Sequence, residues 1–129
     1  MYIYDKQMEV YIMKLREVKE ILNATVLTGE AELDHEVKAA CGSDLMSDVL
    51  AFVKDQAMLL TGLVNGQVIR TAEMMDIHAV VFIRGKKPSD DIVELAASRD
   101  IVIMETELPM YLACGMLYSA GLTGGSTKA

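Results

Sequence analysis

One stretch of the chain, LLTGLVNGQVIRTA at residues 59–72, has the composition of a loop that could hold an anion. An apolar segment runs through Thr61, Gly62, Asn65 and Gly66 into a segment typical of an amphipathic helix. The first amides of a helix point outward with the positive end of its dipole, so they attract negative groups. Both nucleotide signatures, GxGxxG and GxxxxGK[ST], are absent. The structural alternative is that Asn65 caps the helix and the glycines permit tight turns.

A second candidate for anion binding is the basic cluster Arg84, Lys86 and Lys87, which follows an apolar run. It is the densest group of cations in a chain with a formal net charge of -7. In a parallel sheet the loops that follow the strands collect along one edge, where ligands usually bind. We therefore predict one site from both groups, for a nucleotide or a phosphometabolite. The alternative is that these basic side chains are only solvated.

Patterns for catalysis or metal binding are weak. There is no GxSxG elbow, and the only histidines are His35 and His78. Cys114 lies in an apolar helical segment, which indicates a buried thiol rather than an activated thiolate. The run Asp34-His35-Glu36 offers three metal ligands, but adjacent residues project in different directions and no second ligand cluster lies nearby in sequence. We expect no enzymatic activity, no cofactor and no metal.

Composition narrows the class of protein further. A chain of 129 residues with 52% apolar residues and a mean hydropathy of +0.27 suits one packed domain. Nucleic acid is an unsuitable partner, because a protein with a pI of about 4.7 repels phosphate backbones. No apolar run reaches the roughly 20 residues that a membrane helix needs. Two distant cysteines, Cys41 and Cys114, and the lack of a secretory signal predict reduced thiols and a cytoplasmic location.

The elements that must position these residues alternate between strands and helices. Short apolar runs predict strands at residues 25–27, 37–41, 57–60, 79–83 and 101–104. Helices are predicted from residue 13, at 45–53, 67–75 and 89–97, and from Pro109 to near Gly121, with Ser43 or Asp44 capping the second. Alternation of this kind predicts a three-layer α/β fold, with a mainly parallel sheet of about five strands and helices on both faces.

The chain divides into a predicted domain at 13–122, an extension at 1–12 and a flexible, glycine-rich tail at 123–129. Residues 1–12 are either an added structural element or the product of a start codon upstream of Met13, and we interpret them as an extension of the first helix. Its Tyr2, Ile3 and Tyr4 either pack on a neighbouring subunit or lie at a frayed end. These side chains and the apolar composition motivate the prediction of a homodimer or a small homo-oligomer.

Three segments of the chain resemble the DRTGG domain family: SDLMSDVLAFV, LLTGLVNGQVIRTAEMMDIHAVVFIRGKKP and ETELPMYLACGMLYSAGL. Within that family, residues 13–122 are similar to the amino-terminal domain of HPr kinase/phosphorylase. Such domains are α/β modules, found alone or attached to CBS-domain pyrophosphatases, phosphotransacetylases and cobyrinic-acid-synthase-like proteins. The resemblance implies a regulatory or dimerising module that serves a partner protein. A small-ligand sensor is the alternative function.

Two departures from the resemblance change what it implies. The P-loop domain that carries HPr kinase activity is not among these 129 residues, so no kinase activity is predicted for this polypeptide. Thr61-Gly62 matches the family's turn, but Leu63-Val64-Asn65 replaces the Asp-Arg that many relatives carry next. An anion contact from that arginine is therefore lost, and Arg84 or Lys86 would compensate for it only in part.

Overall fold

Strands and helices alternate along the chain in the computed structural model, which describes residues 3–5, 10–53 and 56–124. The strands are β1 (Ile3–Asp5), β2 (Val10–Lys14), β3 (Thr25–Thr28), β4 (Glu36–Val37), β5 (Ala39–Gly42), β6 (Ala57–Thr61), β7 (Ala79–Phe82) and β8 (Val102–Glu105). The helices are α1 (Leu15–Ile21), α2 (Met46–Phe52), α3 (Gly66–Met74), α4 (Asp90–Ser98) and α5 (Met110–Ser119), with a 3-10 turn at Glu30–Glu32. No helix in these ranges is long and apolar enough to cross a membrane.

The main sheet has five strands in the order β3-β8-β7-β6-β5. Strands β5 to β8 are parallel, and β3 pairs antiparallel with β8 at the edge. Every residue of β6 and β7 is buried, because helices cover both faces of the sheet. The predicted three-layer α/β fold with a mainly parallel, five-stranded sheet is confirmed.

Two apolar layers fill the space between this sheet and its helices. Successive side chains of a strand point to opposite faces, so Leu60 and Val81 join one layer while Leu59 and Phe82 join the other. Helix α1 with its C-cap Leu22, and helix α5, close the first layer; their side chains there are Leu15, Val18, Leu22, Ala113 and Leu117. Helices α2, α3 and α4 close the second with Val49, Val68, Ile69, Ala72 and Ala96.

The strand register brings the predicted site loops to one edge. Gly42 at the end of β5 pairs with Leu60, and Thr61 at the end of β6 pairs with Phe82 at the end of β7. Phe82 pairs in turn with Glu105 at the end of β8. The loops after these four parallel strands therefore leave the sheet side by side.

The prediction that residues 1–12 extend the first helix is wrong. Ile3–Asp5 and Val10–Lys14 are strands, and β2 lies between β1 and β4 in a second, antiparallel sheet. The run VYIM is rich in β-branched and aromatic residues, which favour a strand when a partner strand is available. The helix therefore begins only at Leu15. Tyr2 and the side chains of Ile3 and Tyr4 lie outside the described part of the chain.

The structure also changes two further predictions, the strand at 37–41 and the tail at 123–129. The predicted strand at 37–41 is two strands, because β4 pairs with β2 while β5 enters the main sheet. In the predicted tail, Gly124 forms a parallel bridge with Ala39. The rest of that tail, 125–129, lies outside the described residues.

Candidate functional site

The loop that follows β6 is held by a carboxylate from the loop that follows β5. Asp44 Oδ1 accepts hydrogen bonds from the amide of Gly62 at 2.7 Å and from the hydroxyl of Thr61 at 3.2 Å. The other oxygen, Asp44 Oδ2, lies 3.8 Å from Nη2 of Arg84. Three of the predicted site residues, Thr61, Gly62 and Arg84, therefore converge on one carboxylate.

Asp44 does not cap α2, so the prediction that Ser43 or Asp44 does so is wrong. The N-cap position is Leu45, whose side chain forms no capping hydrogen bond. Ser43 Oγ accepts from the Leu45 amide at 3.0 Å, and Asp44 turns to the neighbouring loop. An amide, a hydroxyl and a nearby guanidinium together stabilise a carboxylate more than one helical amide does.

Gly62 lets the guanidinium of Arg84 approach the turn. A Cβ atom at Gly62 would lie 3.1 Å from Nη2 of Arg84 and 3.4 Å from Oδ1 of Asp44. Arg84 itself has a φ of 55° and Gly85 a φ of 67°, both in the left-handed region. Their amides donate to the carbonyls of Leu108 and Thr106 at 2.8 and 2.9 Å, so the loop after β8 fixes the Arg84 turn.

Asn65 and Gly66 begin α3 at the same edge. Asn65 Oδ1 accepts from the Gln67 amide at 3.0 Å, so Asn65 is the helix cap that the structural alternative predicts. Gly66 leaves room for Arg70, whose Nη1 would lie 3.1 Å from a Cβ at Gly66. Arg70 is not among the residues predicted from the sequence, although its position four residues after Gly66 places it on the same side of the helix.

The side chains of the basic cluster have different surroundings. Lys87 Nζ lies 2.7 Å from Oε1 of Glu105 at the end of β8, and this hydrogen bond raises the pKa of Lys87. Lys86 is exposed and forms no ion pair with any residue that the structure describes. A Cβ at Gly85 would lie 2.8 Å from Oε1 of Glu107, so this edge carries acids beside its cations.

The two histidines meet at the opposite, amino-terminal edge of the sheet. Their ring centroids are 5.1 Å apart, and Nε2 of His78 lies 3.1 Å from Oδ1 of Asp76. Glu32, Asp100 and Val102 complete the lining of a cavity of about 430 Å³. Burial, and then the proximity of His78, lowers the pKa of His35. Within residues 3–5, 10–53 and 56–124, no three His, Cys, Asp or Glu side chains are grouped to hold a metal.

An open groove of about 820 Å³ runs beside α5. Its walls include Ile21 of α1 and, from α5, the exposed side chains of Tyr111 (92% exposed), Leu112 and Tyr118 (64%). Cys114 of this helix is only partly buried, unlike the buried thiol that was predicted, and desolvation raises the pKa of its thiol. Helix α5 carries no charged residue.

Comparison with known proteins identifies the family. The sequence model of the DRTGG domain matches residues 17–120, and no curated protein matches the chain. The fold is similar to a crystal structure of the CBS and DRTGG domains of the regulatory region of Clostridium perfringens pyrophosphatase, complexed with its activator diadenosine tetraphosphate. The TM-score is 0.68 at 16% identity, and the match covers 84% of this chain and 47% of that one, so this chain spans about half its length. With the family match extending over most of its residues, the chain belongs to the DRTGG domain family.

Proposed function

We propose that this chain is a non-catalytic regulatory module that senses a nucleotide or a phosphometabolite at the carboxyl edge of its sheet. One observation carries the proposal: Thr61, Gly62 and Arg84 present a hydroxyl, an amide and a guanidinium to a single anionic group. Phosphate oxygens are bound by this combination of donors. The similar regulatory region from Clostridium perfringens pyrophosphatase was crystallised with a nucleotide activator, which supports adenine nucleotides as the first class to test.

The remaining proposed ligand residues extend the site along the same edge. Asn65 and Gly66 open α3, whose amino end attracts negative charge. Lys86 offers a further cation that has no ion pair with a described residue, whereas Lys87 would have to leave Glu105 to contact a ligand. We add Arg70 to the set, since it lies beside Gly66 and has no ion pair with another described residue.

We extend the proposal to the bounds of the module, its subfamily, its location and its partner. The module would comprise residues 13–122, resemble the amino-terminal domain of HPr kinase/phosphorylase, and act in the cytoplasm on a partner protein. Family membership supports it, since the similar DRTGG domain also lies in a regulatory region.

Thermal unfolding with ATP, diadenosine tetraphosphate and adenosine tests the ligand proposal. Both phosphorylated ligands are expected to stabilise the protein by about 2.7 kcal/mol at about 100 times their dissociation constants. Adenosine, which lacks phosphate, should have little effect. Arg84→Gln should weaken ATP binding by about tenfold or more, because a charge-assisted contact is lost.

Arg16→Gln is the matched control for Arg84→Gln. Arg16 is also exposed and also pairs with an aspartate, Asp34, at 3.2 Å, but it lies on α1 away from this edge. The control should bind ATP as the wild type does. A flat response to both nucleotides, or equal weakening by the two substitutions, would contradict the proposed site.

We also propose that the module forms a homodimer through α5. The chain has a net charge of -7, and two copies repel each other least where neither presents a charge. Tyr111 and Tyr118 are seven residues apart, so they lie on one face of α5 with Gly115 between them. A two-fold axis at Gly115 would place Tyr111 of each copy against Tyr118 of the other. A second copy therefore suits this groove in its lack of charge and in the spacing of its tyrosines.

Sedimentation velocity across a concentration series tests the dimer. One ten-residue helix covers less than the roughly 800 Å² per partner of a standard interface, so we expect dissociation in the micromolar range. Tyr111→Glu should shift the protein to monomer. Met74→Glu, on α3 and 71% exposed in the wild type, is the control and should leave the dimer intact. A monomeric wild type at high micromolar concentration would rule out the interface.

A further inference from the structure

Asp44 is the common acceptor for the donors of the proposed ligand site. Its Oδ1 takes the Gly62 amide at 2.7 Å and the Thr61 hydroxyl at 3.2 Å. Carboxylate and phosphate oxygens accept the same charge-assisted hydrogen bonds, so an anion already stands where a ligand phosphate would bind.

The contact between Asp44 and Arg84 is the loosest of the three. Oδ2 of Asp44 lies 3.8 Å from Nη2 of Arg84, which is beyond hydrogen-bond distance. Both side chains are about half exposed, and ion pairs exposed to water hold their partners weakly. A phosphate group that engages all three donors at shorter range can therefore replace the carboxylate.

We propose that Asp44 is an internal competitor of the ligand, and that a phosphate group displaces it from Gly62, Thr61 and Arg84. This inference rests on the proposed function of the same edge. Two anions cannot share these donors, because the second would meet the repulsion of the first at close range. Binding of the phosphate therefore releases the Asp44 side chain.

The released segment connects the site to α2. The chain is anchored on one side of Asp44 by the Ser43 amide, which donates to the carbonyl of Leu60 at 3.0 Å. On the other side, α2 begins at Met46 without a side-chain cap. Leu45 and Leu50 are largely exposed there, at 57% and 43%. Ligand occupancy would thereby loosen residues 44–46 and change the surface that α2 presents.

Asp44→Asn, titrated with ATP in a calorimeter, tests the competition. The amide oxygen still accepts hydrogen bonds but the negative charge is gone, so ATP should bind about tenfold more tightly than to the wild type. Asp34→Asn is the matched control, since Asp34 is an exposed partner of Arg16 and its loss changes the net charge equally. The control should alter ATP affinity by no more than a small, salt-dependent amount.

Hydrogen exchange of the wild-type protein supplies a test that no substitution can disturb. Saturating ATP should speed amide exchange at residues 44–49 while leaving α4 unchanged. Two results would contradict the displacement of Asp44 while leaving the ligand site in place. In the first, ATP binds the wild type but binds Asp44→Asn equally or more weakly. In the second, ATP slows amide hydrogen exchange at residues 44–49. If ATP binds neither protein, both the displacement of Asp44 and the proposed ligand function are wrong.

Discussion

Replacing Gly29 with alanine is expected to lower the free energy of unfolding by about 2 kcal/mol or more. Gly29 has a φ of 94°, in the left-handed region that side chains other than glycine's adopt at a cost. An added Cβ would lie 2.7 Å from Cγ2 of Val102 and 3.0 Å from its Cα, which belongs to the backbone of β8. Because backbone cannot turn aside as a flexible side chain can, the β3–β8 edge of the sheet would have to open.

Gly115→Ala is the matched control for Gly29→Ala. Gly115 lies in the exposed part of α5, and a Cβ there would meet no atom within 4 Å. Alanine favours the helix over glycine by about 1 kcal/mol, so the same chemical change should stabilise the protein. Urea unfolding at low protein concentration, where no dimer forms, measures both. Equal effects of the two substitutions would contradict the assignment of strain to Gly29.

Thr106→Val is expected to lower the free energy of unfolding by about 1–3 kcal/mol. The Thr106 hydroxyl is buried and donates to the carbonyl of Leu22, the C-cap of α1, at 2.7 Å. Valine keeps the shape but leaves that carbonyl without its hydrogen bond in an apolar layer. The backbone of Thr106 also accepts from Gly85, so the substitution should loosen the turn that positions Arg84.

Thr71→Val provides the comparison for Thr106→Val. Thr71 is also buried, at 5% exposure on α3, and its hydroxyl bonds to no residue in the described part of the chain. Loss of this hydroxyl should therefore be close to neutral. Chemical unfolding of both variants gives the difference. A Thr71→Val loss as large as that of Thr106→Val would show that the Leu22 contact is not the cause.

The strands and helices of the main sheet could be predicted because their pattern is local. The run AVVF is buried throughout, and in VIME only Glu105 is partly exposed. The prediction of a helix over residues 1–12 was wrong because the pairing of β2 is partly non-local. In β2, Val10, Tyr11 and Ile12 pair with the nearby strand β1, whereas Met13 and Lys14 pair with Val37 and Glu36, which are remote in sequence. A window of neighbouring residues contains no information about such a partner.

For the candidate site, too, the sequence could predict some features and not others. The predicted parallel direction of the strands made it possible to place Thr61, Gly62 and Arg84 along one edge from the sequence. The identity of their common acceptor could not be predicted, because Asp44 has a favourable local alternative as a helix cap. Asp44 and Gly62 are 18 residues apart, and only the register of β5 beside β6 brings them within hydrogen-bond distance.

By itself, the sequence determined the fold class and the family, and it placed the proposed ligand residues at one edge of the sheet. These depend on periodic burial and turn residues, which are properties of short segments. The tertiary structure alone decided which charges are paired: Arg84 with Asp44, and Lys87 with Glu105. Ion pairs require atoms within about 4 Å, and that distance is set by the packing of segments that the sequence keeps apart.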